Sequence, residues 1–351
     1  MVRIGIIGYG YWGPNLSRNF AKLEDCQVVA VADANPRRLS AAARSHPGIR
    51  VTESSDELLQ SPDVDAVAIA TPISTHYRLA RQALLNGKHL VVEKPMTQTA
   101  AEAEQLIELA EAESLTLMVD HTFVYSGAVR KIRELIDAGE LGDIYYYDSV
   151  RVNLGLFQPD VNVLWDLAPH DFSIMAYLVD KEPSGVSAVG SSPVSWDGWK
   201  QESVAYVTVE FDGATIAHFH VNWLSPVKIR RTLIGGSRKM LIYDHLDPDN
   251  QIKVIDKGVD VSLKDRYQAL VQYRTGDLVA PKIDQTEALE VMCKHFLNCV
   301  TTGCAPLTGG NAGLTVVRLL EAAKQSMSNE KTMVPWQRRE LSTQLSESLT
   351  T

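Results

Sequence analysis

A glycine-rich turn near the start of the chain constrains its fold more than any other feature. The turn Gly8-Tyr9-Gly10-Tyr11-Trp12-Gly13 follows an apolar strand from Arg3 to Ile7 and precedes a helical stretch from Asn15 to Ala21. Glycines placed in this way permit a tight turn, close approach of the backbone to a pyrophosphate, and packing of the helix on its strand. The turn therefore predicts a dinucleotide-binding α/β unit. A plain strand-to-helix turn is the alternative, with Trp12 a packed helix residue.

The rest of the N-terminal third has the pattern of a parallel sheet. Short apolar strands alternate with amphipathic helices up to about residue 120, and this alternation is typical of βαβ units. We therefore predict a Rossmann domain over residues 1–122. Its later strands are expected at Val28 to Ala32, Ala66 to Ala70, Leu90 to Val92 and Leu115 to Val119.

Strands predominate after residue 120. Asp212-Gly213 separates two alternating runs and indicates a hairpin. We predict a C-terminal α+β domain over residues 123–336, with a large open, mostly antiparallel sheet and late helices at Gln285 to Thr301 and Gly310 to Ser326. One face of such a sheet is free for a partner subunit, so a homodimer or homotetramer is expected. The polar end, residues 337–351, is expected to be a flexible tail.

Composition excludes several classes of function. A formal net charge of -9 argues against nucleic-acid and anionic membrane surfaces. The four cysteines fit neither a zinc spacing nor a C-x-x-C pair, so we expect reduced thiols and no metal site. The chain begins without the charged, apolar and cleavage regions of a signal peptide, and it has no apolar run of roughly 20 residues. A cytoplasmic protein is therefore predicted.

Cofactor choice depends on the end of the second strand. Asp33 lies about twenty residues beyond the glycine turn, where an acidic side chain accepts hydrogen bonds from the adenosine ribose. Its charge would repel a 2'-phosphate, so NAD is favoured over NADP. Arg37 and Arg38 temper this expectation, because an arginine after that strand can pair with a 2'-phosphate.

Two further segments end strands of the same sheet. Ala70-Thr71-Pro72 and Glu93-Lys94-Pro95 each follow an apolar strand, and ligands bind at the carboxyl edge of an open α/β sheet. We therefore expect Tyr11, Trp12, Thr71, Pro72, His76, Glu93 and Lys94 to join the glycines, Asp33 and Arg37 around the cofactor. Lys94 would stabilise the alkoxide that develops as a hydride leaves carbon. Alternatively, it is an exposed lysine in a turn.

Asp166 and His170 are the best candidates for acid–base chemistry. Their spacing of four residues brings both side chains to one helical face, and Pro169 is expected in the first turn of that helix. A neutral histidine can take the proton of a substrate hydroxyl, and Asp166 could orient it or contact another hydroxyl. A capping aspartate beside a buried histidine is the alternative.

Taken together, these segments resemble the glucose-fructose oxidoreductase, inositol dehydrogenase and MocA (Gfo/Idh/MocA) family. The likeness rests on the glycine turn, Asn86-Gly87-Lys88-His89 leading into Glu93-Lys94-Pro95, and the D-x-x-x-H pair, and it covers nearly the whole chain. It implies an N-terminal Rossmann domain for NAD or NADP, a C-terminal α/β domain that binds a sugar, and catalytic roles for Lys94, Asp166 and His170. Trp165 stands where the commoner family motif has glycine, which alters the sugar pocket.

Polar side chains around the predicted cleft would suit a polyhydroxylated substrate. We expect Tyr125, Arg151, Asn153 and Trp165 to contact it, with further candidates at His121 and in the loop from Phe157 to Asn162. A solvated loop is the alternative for that segment.

Three functions follow from these expectations. The first is a dehydrogenase that moves a hydride between a secondary hydroxyl of a sugar and NAD, with a 3-keto nucleotide sugar suggested by the family likeness. The second is an NAD-dependent glycoside hydrolase, which oxidises C3 only transiently. The third is a sugar and dinucleotide sensor without catalysis.

Overall fold

The computed structural model describes residues 1–155, 157, 160–195, 200–265, 268–328 and 332–336, with side chains placed outside residues 260–272. The predicted tail, residues 337–351, lies outside the described residues. None of the helices in the described part of the chain combines the length and apolar character needed to cross a membrane.

The N-terminal part is built on a parallel sheet, and the predicted α/β class is confirmed. Six strands lie in the order β3-β2-β1-β4-β5-β6, all parallel. Its strands are β1 (Val2–Ile7), β2 (Cys26–Ala32), β3 (Arg50–Thr52), β4 (Ala66–Ile69), β5 (His89–Glu93) and β6 (Leu117–Asp120). The helices of this part are α1 (Gly13–Ala21), α2 (Pro36–Ser45), α3 (Ser55–Leu59), α4 (His76–Leu85) and α5 (Ala100–Ala112).

Local sequence signals explain the burial of the strands and the start of the helices. Strand β4 is buried along its whole length, as expected for a parallel strand covered on both faces. Helix α5 begins with a capping box, in which the Thr99 side chain accepts from the Glu102 amide and the Glu102 carboxylate accepts from the Thr99 amide. Asn35 caps the start of α2, where its side chain accepts from the amide of Arg37.

The C-terminal part holds a large, mostly antiparallel sheet, also as predicted. Among the described residues, nine strands lie in the order β16-β13-β12-β11-β7-β10-β9-β8-β17, antiparallel except for the pair β7 and β10. They are β7 (Ile144–Leu154), β8 (Pro183–Ser191), β9 (Val204–Phe211), β10 (Ile216–Asn222), β11 (Leu224–Gly236), β12 (Met240–Asp244), β13 (Ile252–Ile255), β16 (Leu278–Val279) and β17 (Val334–Pro335). A separate hairpin is formed by β14 (Gly258–Asp265) and β15 (Gln268–Arg274).

The two faces of this sheet differ. Helices α7 (Val163–Val179) and α9 (Gly310–Ser328) cover one face. The opposite face presents large apolar side chains to solvent, and Val189, Tyr206 and Ile216 are each more than two-fifths exposed. An exposed apolar patch of this kind is typical of an interaction surface.

The last two helices return to the N-terminal part. Helix α8 (Ala288–Thr302) packs on α1, where the rings of Phe20 and Phe296 lie 6.0 Å apart edge to face. Arg18 donates two hydrogen bonds to the carboxylate of Glu287 at 3.0 and 2.6 Å. The chain thus crosses between its two halves more than once. The remaining helix, α6 (Gly127–Asp137), follows a short 3₁₀ helix at Thr122–Tyr125.

Candidate active site

The glycine turn between β1 and α1 can pack as it does only because two of its residues lack a side chain. Gly8 has φ +91°, and a Cβ there would lie 2.5 Å from the carbonyl oxygen of Ala70. A Cβ on Gly13 would lie 2.1 Å from the carbonyl oxygen of Gly8. A Cβ on Gly10 would meet nothing closer than the Arg38 guanidinium at 3.7 Å. The turn is a backbone cradle at a helix N-terminus, which fits a pyrophosphate.

Alanine substitutions at different glycines of this turn should therefore have very different effects on stability. We expect Gly13→Ala to lower the free energy of unfolding by about 2–3 kcal/mol, because the new methyl group overlaps backbone that cannot move away. We expect Gly10→Ala, the matched control, to change it by less than about 0.5 kcal/mol. Urea unfolding of the two variants measures the difference. Equal stability of both would show that the turn is not packed as the structure has it.

The adenosine end of the predicted cofactor site is a pocket of about 260 Å³ beside Asp33. The Asp33 carboxylate accepts from the amide of Tyr9 at 2.6 Å and from that of Asn35 at 2.8 Å, so its orientation is fixed. Arg38 lines this pocket, with Nη1 3.5 Å from Asp33 Oδ2. The residues fit a dinucleotide, because a fixed acceptor and a backbone cradle stand at the two positions that its ribose and pyrophosphate require.

Two of the predicted cofactor residues lie elsewhere. Arg37 is the second residue of helix α2 and does not line the pocket, where Arg38 stands instead. His76 is 1% exposed, with Nδ1 2.9 Å from the carbonyl oxygen of Pro95 and Nε2 2.8 Å from that of Thr71. Burial lowers the pKa of His76, so the neutral ring donates to one of these carbonyls at a time. It joins the two strand-end loops behind the cofactor site and does not face the cleft.

A cleft of about 760 Å³ runs between the two halves of the chain. Its N-terminal wall comes from the glycine turn and the ends of β4 and β5, and its C-terminal wall comes from β7, α7 and β11. Tyr11 and Trp12 stand in the N-terminal wall with their rings edge to face at 5.6 Å. The predicted site residues that line the cleft are Gly10, Tyr11, Trp12, Thr71, Pro72, Glu93, Lys94, Asn153, Trp165, Asp166 and His170.

Lys94 joins the two walls of the cleft. Its side chain is 13% exposed, and Nζ donates to the backbone carbonyl of Asp166 at 2.8 Å. The same Nζ lies 3.7 Å from Asp166 Oδ1. An ammonium group has three protons, so Lys94 keeps donors for a ligand while it is held in place. The alternative of an exposed lysine in a turn does not describe this geometry.

Asp166 and His170 share one face of α7, but the helix differs from the prediction. It begins at Val163, capped by the Asn162 side chain, so Pro169 lies in the helix interior instead of the first turn. A proline there removes the hydrogen bond to the carbonyl four residues earlier and crowds the preceding turn. The Asp166 carboxylate faces Trp223, whose Nε1 donates to Oδ2 at 3.1 Å, while Oδ1 lies beside Lys94; it thus contacts Lys94 and Trp223 instead of orienting His170.

The His170 ring is held by packing. It meets the ring of Phe123 edge to face at 4.9 Å, and its Nδ1 is buried without a hydrogen-bond partner in the described part of the chain. Burial lowers the pKa of His170 well below its ordinary value, and the charges of Lys94 and Arg151 lower it further. His170 is therefore neutral at ordinary pH, which is the form that can accept a proton.

A pair of buried carboxyl groups lies behind Lys94. Glu93 and Asp120 are opposite each other at the carboxyl ends of β5 and β6. Burial raises the pKa of Glu93 well above its usual range, and the neighbouring Asp120 raises it further. Burial also raises the pKa of Asp120, to which the Thr122 hydroxyl donates a hydrogen bond. Across the described residues, no group of three or more His, Cys, Asp or Glu could hold a metal ion.

Two predicted substrate contacts lie outside the cleft. The Tyr125 hydroxyl is 3.0 Å from Thr308 Oγ1, in the buried contact between the two halves. Arg151 is also buried, with Nε 2.6 Å from Asp171 Oδ2 and Nη2 3.1 Å from Asp171 Oδ1. It supports the site from behind, with its guanidinium 4.9 Å from the centre of the Phe123 ring. In the loop from Phe157 to Asn162, Asp160 lines the cleft.

Several residues of the site were not predicted. Arg230, on β11, lines the cleft opposite the cofactor side, and Trp223 holds Asp166. No motif marks either residue, because sheet pairing across many residues brings them to α7. His121, a weaker candidate, is 1% exposed, with both ring nitrogens buried and unpartnered among the described residues.

Burial of His121 makes folding sensitive to acid. Its pKa is lowered to about 3 by burial and then by the charge of Lys94, whereas an unfolded histidine titrates near 6.5. The unfolded chain binds more protons between these values, so stability is complete above pH ~6.5 and falls as the pH is lowered towards ~3. We expect this histidine alone to cost about 2 kcal/mol at pH ~5. The free energy of unfolding should therefore fall less between pH ~7 and pH ~5 in His121→Gln than in the wild type. An equal fall in both proteins would contradict the assignment to His121.

Comparison with known proteins covers both halves of the chain. Residues 2–121 match the Gfo/Idh/MocA model described as an oxidoreductase family with an NAD-binding Rossmann fold, and residues 133–335 match the model of that family's C-terminal alpha/beta domain. The UDP-N-acetylglucosamine 3-dehydrogenase of Acidithiobacillus ferrooxidans is 28% identical over 332 residues, which are 92% of this chain and 96% of the relative.

Two other proteins extend the comparison. The myo-inositol 2-dehydrogenase of Thermotoga maritima is 24% identical, over 95% of this chain and 98% of its own. The crystal structure of the WlbA dehydrogenase of Bordetella pertussis, in complex with NADH and UDP-GlcNAcA, has a TM-score of 0.81 at 19% identity, over 96% of this chain and 98% of that chain. At that identity the match shows a common fold.

Proposed function

Because the chain belongs to the NAD-binding Gfo/Idh/MocA oxidoreductase family through both of its halves, as its motifs indicated, we propose that it moves a hydride between a secondary hydroxyl of a sugar and NAD. One observation carries the proposal: Lys94, from the cofactor side, and His170, from α7, line the same cleft, which also contains the edge of the glycine turn. A cation and a neutral base beside a dinucleotide cradle are the groups that alcohol oxidation requires.

Each group has a separate task. His170 accepts the proton of the substrate hydroxyl, and Lys94 donates to the oxygen as negative charge develops on it. Bound NAD supplies the hydride acceptor. Asp166 keeps Lys94 in place through its carbonyl and carboxylate, while Trp223 fixes that carboxylate. In the reverse direction the same two groups return the proton and polarise the carbonyl.

Substrate and cofactor preferences rest on different residues. The relatives that act on inositol and on a UDP-linked sugar support a sugar or cyclitol, and we favour C3 of a nucleotide sugar because a relative of that activity aligns over nearly the whole chain. The fixed Asp33 carboxylate favours NAD over NADP, with Arg38 alongside as the opposing influence. Dissociation constants for NADH and NADPH test this preference, and tighter NADPH binding would contradict it.

Assembly and location complete the proposal. The face of the large sheet that exposes Val189, Tyr206 and Ile216 is where we expect a second subunit to bind, giving a dimer or tetramer. Sedimentation at micromolar concentration tests this expectation, and a monomer would oppose it. We also expect the protein to lie in the reducing cytoplasm, where its four cysteines would remain thiols.

Product analysis separates this function from the two alternatives. We would incubate the protein with NAD and a panel of UDP-sugars, free sugars, sugar phosphates and inositols, then determine the products by mass spectrometry. A dehydrogenase yields a sugar that has lost two hydrogens, together with NADH. A glycoside hydrolase would release the aglycone without net NADH, and a sensor would leave every substrate intact.

A further inference from the structure

Arg230 is a cation of the cleft without a carboxylate partner among the described residues. It lies opposite Arg151 in the register of β11 and β7, and directly opposed residues of antiparallel strands present their side chains to the same face. Asp171 on α7 neutralises Arg151 through a two-pronged ion pair. Arg230 lines the cleft, and its Nε is buried without a hydrogen-bond partner in the described part of the chain.

The other charged groups of the cleft are compensated or exposed. Lys94 is beside Asp166, and Arg38 is beside Asp33. Burial raises the pKa of Glu93 well above its usual range, which favours its uncharged form, and Asp160 is exposed to solvent. The buried Nε–H of Arg230 is costly without a partner, and the planar guanidinium fork fits the paired oxygens of a carboxylate or phosphate. Arg230 therefore has the properties of a side chain whose hydrogen-bond partner is a negatively charged group of a bound ligand.

We propose that Arg230 binds an oxyanion carried by the substrate, so that the enzyme selects anionic sugars over neutral ones. This inference rests on the proposed function and names its substrate class. The oxyanion is either a phosphoryl group of a nucleotide sugar or a carboxylate on the sugar ring, since both present paired oxygens to an arginine. Arg230 is a binding residue, and the chemistry stays with His170 and Lys94.

Charge neutralisation at Arg230 also reaches the catalytic base. The positive charge of Arg230 is among those that lower the pKa of His170. An oxyanion bound to Arg230 cancels that charge and raises the pKa of His170 towards the working pH, where a base is most effective. Binding of an anionic substrate thus prepares the proton acceptor, and a neutral sugar does not.

The test compares Arg230→Gln and Arg230→Lys with the matched control Arg231→Gln. Arg231 is the next residue on β11, and its 55% exposed side chain bonds Asp244 away from the cleft. The substrates are UDP-N-acetylglucosamine, its uronic acid, N-acetylglucosamine 1-phosphate and N-acetylglucosamine. We expect Arg230→Gln to lower the ratio of kcat/KM for anionic over neutral substrates by about 10- to 100-fold, mainly through KM. Arg230→Lys should be intermediate, and Arg231→Gln should match the wild type.

The pattern across substrates identifies the anion. An equal loss for UDP-N-acetylglucosamine and its uronic acid assigns Arg230 to a phosphoryl group, and a loss confined to the uronic acid assigns it to the ring carboxylate. The acid limb of kcat/KM should move to higher pH in Arg230→Gln, because a positive charge near His170 has been removed. Equal selectivity in Arg230→Gln and Arg231→Gln would overturn the proposal.

A binding measurement keeps this test separate from the proposed function. If the wild type oxidises none of the sugars, calorimetric titration of each UDP-sugar into protein saturated with NADH replaces the kinetics. Weaker binding in Arg230→Gln alone then supports the oxyanion site even though the dehydrogenase proposal has failed. Equal dissociation constants for Arg230→Gln and Arg231→Gln would contradict an oxyanion site at Arg230. Arg230→Lys retains the positive charge and covers the case in which the glutamine variant unfolds.

Discussion

Replacing His170 with glutamine is expected to lower kcat for sugar oxidation by about 10²- to 10⁴-fold, the usual contribution of a positioned general base. Glutamine has a similar volume and keeps a polar end beside Phe123, but it cannot accept a proton at neutral pH. The substrate must then release its proton to water while the hydride leaves. NAD binding should be little changed, because His170 is on the opposite wall of the cleft from the glycine turn.

The measurement is the rate of NADH formation with saturating substrate, with His218→Gln as the control. His218 lies on β10 in the exposed stack with Tyr206, away from the cleft. At higher pH the His170→Gln rate should rise, since hydroxide replaces the missing base. A His170→Gln enzyme that works at the rate of the control would exclude His170 as the proton acceptor.

Replacing Lys94 with methionine should lower kcat by about 10²- to 10³-fold, as expected for loss of one donor to a developing oxyanion. Methionine retains the length and apolar stem of the side chain but neither the charge nor the hydrogen bonds. Its effect should appear in kcat more than in KM, because the interaction strengthens as charge develops on the oxygen. Lys94→Arg should recover part of the rate, since it keeps a cation at the same position.

Lys94 also holds Asp166, so its loss has a structural consequence that must be separated from the chemical one. Asp166→Asn keeps the backbone carbonyl that accepts from Lys94 and removes only the carboxylate charge. We expect Asp166→Asn to lose less activity than Lys94→Met. Thermal unfolding of the wild type and of both variants shows whether the fold is intact. If Lys94→Met kept the wild-type rate with the fold intact, the oxyanion role would be wrong.

Local chemistry made the N-terminal half predictable. The glycine turn, the apolar strands and the rule that ligands bind at the carboxyl edge of a parallel sheet together predict that Thr71, Glu93 and Lys94 lie at one edge. Helix α5, one of the amphipathic helices expected between the strands, spans Ala100–Ala112, where its capping box and its alanine, leucine and glutamate content agree. Short elements such as β3 and α3 were missed because three or five residues show no clear periodicity.

The C-terminal wall of the cleft was less predictable, because long-range packing decides it. Tyr125 and Arg151 are polar and were expected to contact the substrate. The structure instead buries Tyr125 against Thr308 and Arg151 against Asp171. The partner of each of these two side chains is distant in sequence, so no local sequence pattern predicts the contact. The same reason explains why Arg230 was missed: its position depends on the pairing of β11 with β7. Pro169 misled the placement of α7, since a proline usually marks a first turn.

A single-turnover measurement tests the central claim most directly. Protein and NAD at near-equal concentrations would be mixed with UDP-N-acetylglucosamine, and with each other sugar of the panel, while absorbance of NADH is recorded. Even an unfavourable overall equilibrium leaves a burst under these conditions. The account predicts a burst with one class of sugar, which disappears in His170→Gln. Absence of NADH with every sugar, in a protein shown to bind NAD, would contradict it.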